Sequence, residues 1–303
     1  MDDVLRFVTA DVFTASAYGG NPLAVVLDGR GLTTAQMQAV AREFNLSETT
    51  FILPPGNPRH TARVKIFTPT AEMAFAGHPT VGTAWAMAHL GLIAPAGDEA
   101  RIVFEENVGP VPLTVRFDGT RPSYVSFTTA MVPEEVVPVP AVAELAEIVG
   151  LTPADIRTDG APALALSCGT AFTCIPLRSA EAVARVRLNS EAWRRHLGAG
   201  PAHKVFVFAR TGPGTLHARM FGPGEGVAED PATGSAACAV TGWLVRDAGP
   251  KVGTGRWTIH QGEEMGRPSR IFVEADVSNG AIIAVRCGGT AVMMAEGTLR
   301  RPA

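Results

Sequence analysis

A short pattern occurs twice, about half a chain apart, and it restricts the fold more than any other feature. Arg63-Val-Lys-Ile-Phe67-Thr-Pro69 is matched by Ala218-Arg-Met-Phe221-Gly-Pro223, and further on Gly77-His78 is matched by Gly234-Ser235. Phe221 follows Phe67 by 154 residues and Gly234 follows Gly77 by 157, so about three residues are inserted. Each Gly pair opens a stretch without Asp, Glu, Lys or Arg, at 73–97 and at 231–245. A helix that is apolar on every side belongs in the middle of a core. The expected fold class is therefore α+β. It has two pseudo-symmetric halves, each a mostly antiparallel sheet rolled around a central buried helix. This is a single duplication, not a solenoid with a short period.

The first half is expected over 1–120, with its helix near 79–91 and a C-terminal strand at 288–303 completing its sheet. The second is expected over 121–287, with its helix near 235–247. Pro122, Pro133, Pro138 and Pro140 place a linker near 117–142. The first uncharged stretch is long enough to cross a bilayer. Gly77, Pro79, Gly82, Gly91 and Pro95 interrupt it, so no membrane partner is expected. A net charge of -3 without a basic stripe argues against nucleic acid. Met1-Asp2-Asp3-Val4 lacks the basic and apolar regions of a signal peptide. Cys168, Cys174, Cys238 and Cys287 show neither metal-ligand spacing nor a C-x-x-C, so no metal is expected and a reducing cytoplasm fits.

Local signals fill in the halves. Arg6 to Phe13 reads as a strand and Gly19-Gly20-Asn21-Pro22 as a turn. Thr33 or Thr34 caps a helix running to Phe44, with Met37, Val40, Ala41 and Phe44 on one face. Strands follow at 49–53 and 63–67, and in the second half at 163–166, 173–176 and 204–209, with a helix at 190–197 between the last two.

The chemistry is expected where the two buried helices begin. Helix N-termini leave backbone N–H groups free and carry partial positive charge, so they suit a carboxylate or an enolate-like charge. Glycine at such a turn lets a ligand approach the backbone. Glu48, at the end of an apolar strand, would have a raised pKa suited to proton transfer. A helix cap is its plain alternative. His78 could equally serve packing, and Asp230 could be only a charge for the helix dipole. Walker, H-E-x-x-H, G-x-S-x-G and dinucleotide-binding motifs are missing, and no cofactor is implied.

Taken in order, several segments make one pattern. They are Gly20-Asn21-Pro22 with Ala24-Val25, Asn45-Leu46-Ser47-Glu48-Thr49-Thr50-Phe51, and Phe67-Thr68-Pro69 with Glu72. Phe75-Ala76-Gly77-His78-Pro79-Thr80, Glu229-Asp230-Pro231-Ala232-Thr233-Gly234-Ser235-Ala236, and Gln261-Gly262 with Gly266-Arg267-Pro268-Ser269 complete it. This pattern resembles the phenazine-biosynthesis isomerase-like (PhzF-like) family, from about residue 6 to 296. The resemblance implies the diaminopimelate-epimerase-like fold, a homodimer and no metal or organic cofactor. It implies an isomerase that shifts a proton on a small carboxylate-bearing substrate, similar to dihydro-hydroxyanthranilate isomerase. On that resemblance Glu48 is the acid/base, His78 and Asp230 are its partners, and Asn21, Gly77, Gly234 and Ser235 contact substrate.

Three alternatives stand beside it: a one-base epimerase, a dehydratase, and a small-molecule-binding protein without catalysis. A related branch of the fold uses two thiols, one at each helix turn. Here those turns carry Ala76 and Thr233, so a two-thiol mechanism is not expected.

Overall fold

The structure is a computed structural model and describes residues 4–302. The elements run β1 (Val4–Val12), β2 (Asn21–Val26), α1 (Thr34–Phe44), β3 (Glu48–Leu53), β4 (Ala62–Phe67) and β5 (Glu72–Met73). Then come α2 (Gly77–His89), β6 (Glu99–Glu106), β7 (Gly109–Asp118), β8 (Arg121–Thr128), β9 (Glu134–Glu135) and α3 (Val142–Val149). They continue with β10 (Leu164–Ser167), β11 (Ala171–Pro176), α4 (Ala180–Arg185), α5 (Ser190–His196), β12 (Lys204–Gly212) and β13 (Thr215–Gly222). The last are β14 (Val227–Asp230), α6 (Gly234–Ala248), β15 (Gly253–Gln261), β16 (Ser269–Ser278), β17 (Ala281–Gly289) and β18 (Ala291–Arg300). The chain divides into two units: 1–128 with 288–303, and 129–287.

In the first unit β1 pairs antiparallel with β18 on one side and β2 on the other. The sheet continues β2–β3 parallel, β3–β4 antiparallel and β4–β6 parallel, then β6–β7 and β7–β8 antiparallel. The two parallel steps are crossovers, one through α1 and one through α2, as parallel neighbours require. Helix α2 packs on β1, β2, β3, β7, β8 and β18, so the sheet wraps it. All its residues but His89 are buried, which its uncharged sequence permits. On the outer face α1 buries Met37, Val40 and Ala41 against Leu5, Val26, Phe51 and Phe67. That second layer is why β2 is apolar from Pro22 to Val26, whereas β7, solvated on one face, alternates. Thr33 and Gln36 form a reciprocal capping box on α1, and Asn45 ends it in the left-handed conformation. Pro122 lies within β8, opposite Phe117, so residues 121–128 belong to the first unit's sheet and not to a linker or to the second half.

The second unit repeats the order. β10–β11 is antiparallel, β11–β12 parallel, β12–β13 antiparallel, β13–β15 parallel and β15–β16 antiparallel. The first parallel step crosses over through α4 and α5, and the second through α6. Helix α6 packs against β10, β11 and β16. Helices α3, α4 and α5 cover the outer face with a cluster that includes Leu145, Ile148, Val183 and Trp193, packed over Val205 and Val207. As in the first unit, the doubly covered strands are buried over most of their length, Lys204 to Ala209 in β12 and Leu216 to Gly222 in β13.

Candidate active site

Strand pairing gives the equivalence between the units residue by residue. Thr49 pairs with Phe67, and Val205 with Phe221, so Glu48 corresponds to Lys204. Arg63 pairs with Glu105, and His217 with His260, so Glu106 corresponds to Gln261. The helix starts align Gly77 with Gly234 and His78 with Ser235. The Glu48 position thus carries a carboxylate in one unit and an ammonium in the other. Lys204 is ion-paired with Glu225 at 2.7 Å and lies over the Phe172 ring.

In the first unit, Glu48 opens β3 beside Leu23 of β2, and Asn21 opens β2 fully buried. His78 sits in the first turn of α2, with Nε2 3.3 Å from Oε2 of Glu48. The two side chains are 5% and 15% exposed. Burial pushes His78 down to about 3, only partly offset by a hydrogen bond to the backbone of Pro22. Proline offers only its carbonyl, so the ring donates to it, and with Nε2 facing Glu48 the donor is Nδ1. The Nε2 lone pair of a neutral imidazole therefore faces the Glu48 carboxyl. With a neutral imidazole the pair is not a salt bridge.

Two residues on, Thr50 shares a 2.8 Å buried hydrogen bond with Thr83 of α2. Two steps along a strand advance about 6.6 Å, and five along a helix about 7.5 Å. The Glu48–His78 and Thr50–Thr83 contacts are thus successive rungs between a strand and a helix running the same way. They fix how the carboxyl meets the imidazole. The equivalents in the second unit, Phe206 and Val240, are apolar and buried.

In the second unit, Asp230 ends β14 and is buried. Thr233, at the start of α6, donates its hydroxyl to Oδ2 of Asp230 at 2.5 Å. Gln261 donates to the Asp230 carbonyl at 2.7 Å and to Thr233 Oγ1 at 3.0 Å, and accepts from the Thr233 amide at 3.3 Å. Just upstream, Glu229 takes a two-pronged bond from the buried Arg219, both contacts at 2.8 Å. Strand β14 and the turn carrying Gly234 and Ser235 are therefore held as one piece. Neither α2 nor α6 has a side-chain cap at its first residue, so early N–H groups of both helices stay available for an anion.

The structure brings Asn21, Glu48, Gly77 and His78 together in one unit, and Asp230, Gly234 and Ser235 in the other. Three further groups support them: Gln261, Thr80 and Glu106, of which Glu106 had drawn no notice in the sequence. Its signal was there, since Ile102, Phe104 and Glu106 alternate with Arg101, Val103 and Glu105 and so share the inward face of β6. Cys238 lies one turn into α6, and burial and the Cys287 thiol beside it push its thiol well up, the opposite of an activated nucleophile. Among the described residues no group of three or more His, Cys, Asp or Glu could hold a metal ion. No helix among them is long and apolar enough to cross a membrane.

The family model for phenazine biosynthesis-like proteins matches residues 10–297. An uncharacterised isomerase, mll1393, of Mesorhizobium japonicum is 43% identical, with 97% of this chain and 98% of that protein covered. The trans-2,3-dihydro-3-hydroxyanthranilate isomerase of Pseudomonas aeruginosa is 34% identical, with 96% and 98% covered. In fold, the chain is similar to a Bacillus anthracis phenazine biosynthesis protein of the PhzF family. The TM-score is 0.87 at 24% identity, over 99% of each chain. Strand order, repeat and kinship agree: the chain belongs to the phenazine biosynthesis-like (PhzF) family, and it is an isomerase.

Proposed function

We propose that the chain shifts a proton on a small, unsaturated, carboxylate-bearing ring substrate, dihydro-hydroxyanthranilate or a near analogue, without a cofactor. The observation that carries this reading is the Glu48–His78 pair, 3.3 Å apart, with the buried His78 in the first turn of α2 and Glu48 half-buried at the start of β3. The identity with the P. aeruginosa enzyme supports the substrate class. Glu48, as carboxylate, takes a proton from a ring carbon activated by a neighbouring double bond. The electron pair left behind moves along the conjugated system. Glu48 then returns the proton to a different carbon, so product and substrate share one formula. The neutral His78 and Asp230 orient polar groups of the substrate. Asn21 and the N–H groups at Gly77, Gly234 and Ser235 hold its carboxylate. The Lys204 at the position equivalent to Glu48 favours one acid/base over a symmetric pair, as an intramolecular shift requires. The same reading makes the protein a cytoplasmic homodimer with a small-molecule partner only.

The test is turnover of dihydro-hydroxyanthranilate in deuterated water, followed by absorbance and mass. Conversion with deuterium uptake is expected, and Glu48→Gln lowers it by roughly 10²–10⁴-fold, the usual share of a general acid/base. Turnover of that variant within a few-fold of wild type refutes the role of Glu48.

A further inference from the structure

The first turn of α2 is held by a contact that the proton shift does not use. Thr80 Oγ1 lies 2.8 Å from the carbonyl oxygen of Ala76 and 2.7 Å from Oε1 of Glu106. A hydroxyl has one proton to give, and the Ala76 carbonyl can only accept. If Thr80 donates to Ala76, the short contact to Glu106 is a hydrogen bond only when Glu106 itself is the donor. Glu106 is 7% exposed, and its Oε2 is buried without a hydrogen-bond partner. A carboxylate so placed would have lost its hydration with nothing in return. The equivalent position in the second unit is Gln261, whose amide donates to Asp230 and Thr233 and so pins the turn that starts α6. A protonated glutamic acid is the near-isostere of that glutamine.

We infer that Glu106 is a positioning residue that keeps a proton in the folded protein and, as a neutral acid, fixes the turn carrying Gly77 and His78 as Gln261 fixes the turn carrying Gly234 and Ser235. Burial pushes Glu106 up to about 8, against the lowering by the Thr80 contact. The titratable groups on the elements around it are otherwise engaged. On β6, Glu105 takes backbone N–H groups of Gly56 and Asn57 and contacts His60. On β5, Glu72 pairs with Lys65 of β4 and accepts from Asn107. On α2, His78 is neutral, and on β7 Glu106 pairs with Gly109. The role toward His78 rests on the proposed proton shift; the protonation does not.

The test therefore starts without substrate. Infrared difference spectra of wild type and Glu106→Gln at pH 6.5 should show the carbonyl stretch of a buried protonated carboxylic acid in wild type only. Thermal unfolding supplies the second readout. Between pH 4.5 and 8 the folded state keeps a proton that the unfolded state releases, so wild type loses stability relative to Glu106→Gln as pH rises, and the difference levels off above pH 8. A missing infrared band, parallel pH dependences, or failure of the isosteric variant to fold each overturns the inference. With dihydro-hydroxyanthranilate as substrate, kcat of wild type should decline above pH 8 and that of Glu106→Gln should not, while Glu106→Leu lowers kcat at every pH. An unchanged kcat in Glu106→Leu overturns the positioning role. A wild type that never turns over this substrate refutes the proposed function instead and leaves the infrared and melting results standing.

Discussion

Gly262 and Gly266 flank one turn between β15 and β16, both in the left-handed region, at φ +79 and +68. Any L-residue there costs about 1–2 kcal/mol in backbone strain. Their surroundings differ. A Cβ on Gly262 would meet the carbonyl oxygens of Arg267 and Pro231 at 2.4 and 2.6 Å, whereas a Cβ on Gly266 meets nothing within 4 Å. Relieving two backbone clashes adds roughly 1–3 kcal/mol, the usual cost of overpacking. Gly262→Ala should therefore destabilise by about 2–5 kcal/mol and Gly266→Ala by about 1–2. Urea unfolding followed by tryptophan fluorescence measures the difference, since Trp193, Trp243 and Trp257 all report on the second unit. Gly262 also follows Gln261, and its clash with Pro231 pushes on the Asp230–Thr233 turn, so that variant should lose turnover even in the fraction that stays folded. Equal losses from the two alanines would refute the steric part of the reasoning and leave only the backbone term.

Thr50→Val or Thr83→Val alone strands one buried hydroxyl and should cost about 1–3 kcal/mol, whereas the double variant, which reproduces the apolar character of Phe206 and Val240, should regain most of it. A double-mutant cycle with additive losses would sink this. His217, 2.8 Å from Glu264, is raised by that hydrogen bond, and Glu264 ends up lowered, because His217 and Arg219 outweigh the effect of burial. The His217 contribution is full below 6.5 and is lost as pH rises through its raised value; that of Glu264 is full above 4.5 and is lost as pH falls through its lowered value. The pair should thus stabilise most between pH 4.5 and 6.5, and melting curves of His217→Gln should lack that maximum.

Local chemistry made some elements readable from the chain alone. The cap at Thr33 and the 3.6-residue spacing of Met37, Val40, Ala41 and Phe44 define α1 without reference to the rest of the molecule. Of the candidate site, the sequence offers residue types at two helix starts, Gly77-His78 and Gly234-Ser235, each before an uncharged run. What could not be read was pairing. Pro122 looked like a linker residue, and only the register of β7 against β8 shows it within a strand. That Glu48 answers to Lys204, and Glu106 to Gln261, depends on which strands lie side by side, and the flanking residues of these pairs share little.

The pairing of β1 with β18 has a consequence for biosynthesis. The second unit is continuous in sequence, so it can acquire its native topology while the chain is still attached to the ribosome. The first unit begins with β1 and is sealed by the strand reaching Arg300. Until that strand is translated, β1 has one unpaired edge. The half that carries Glu48 is therefore closed only after all of the second unit has been translated.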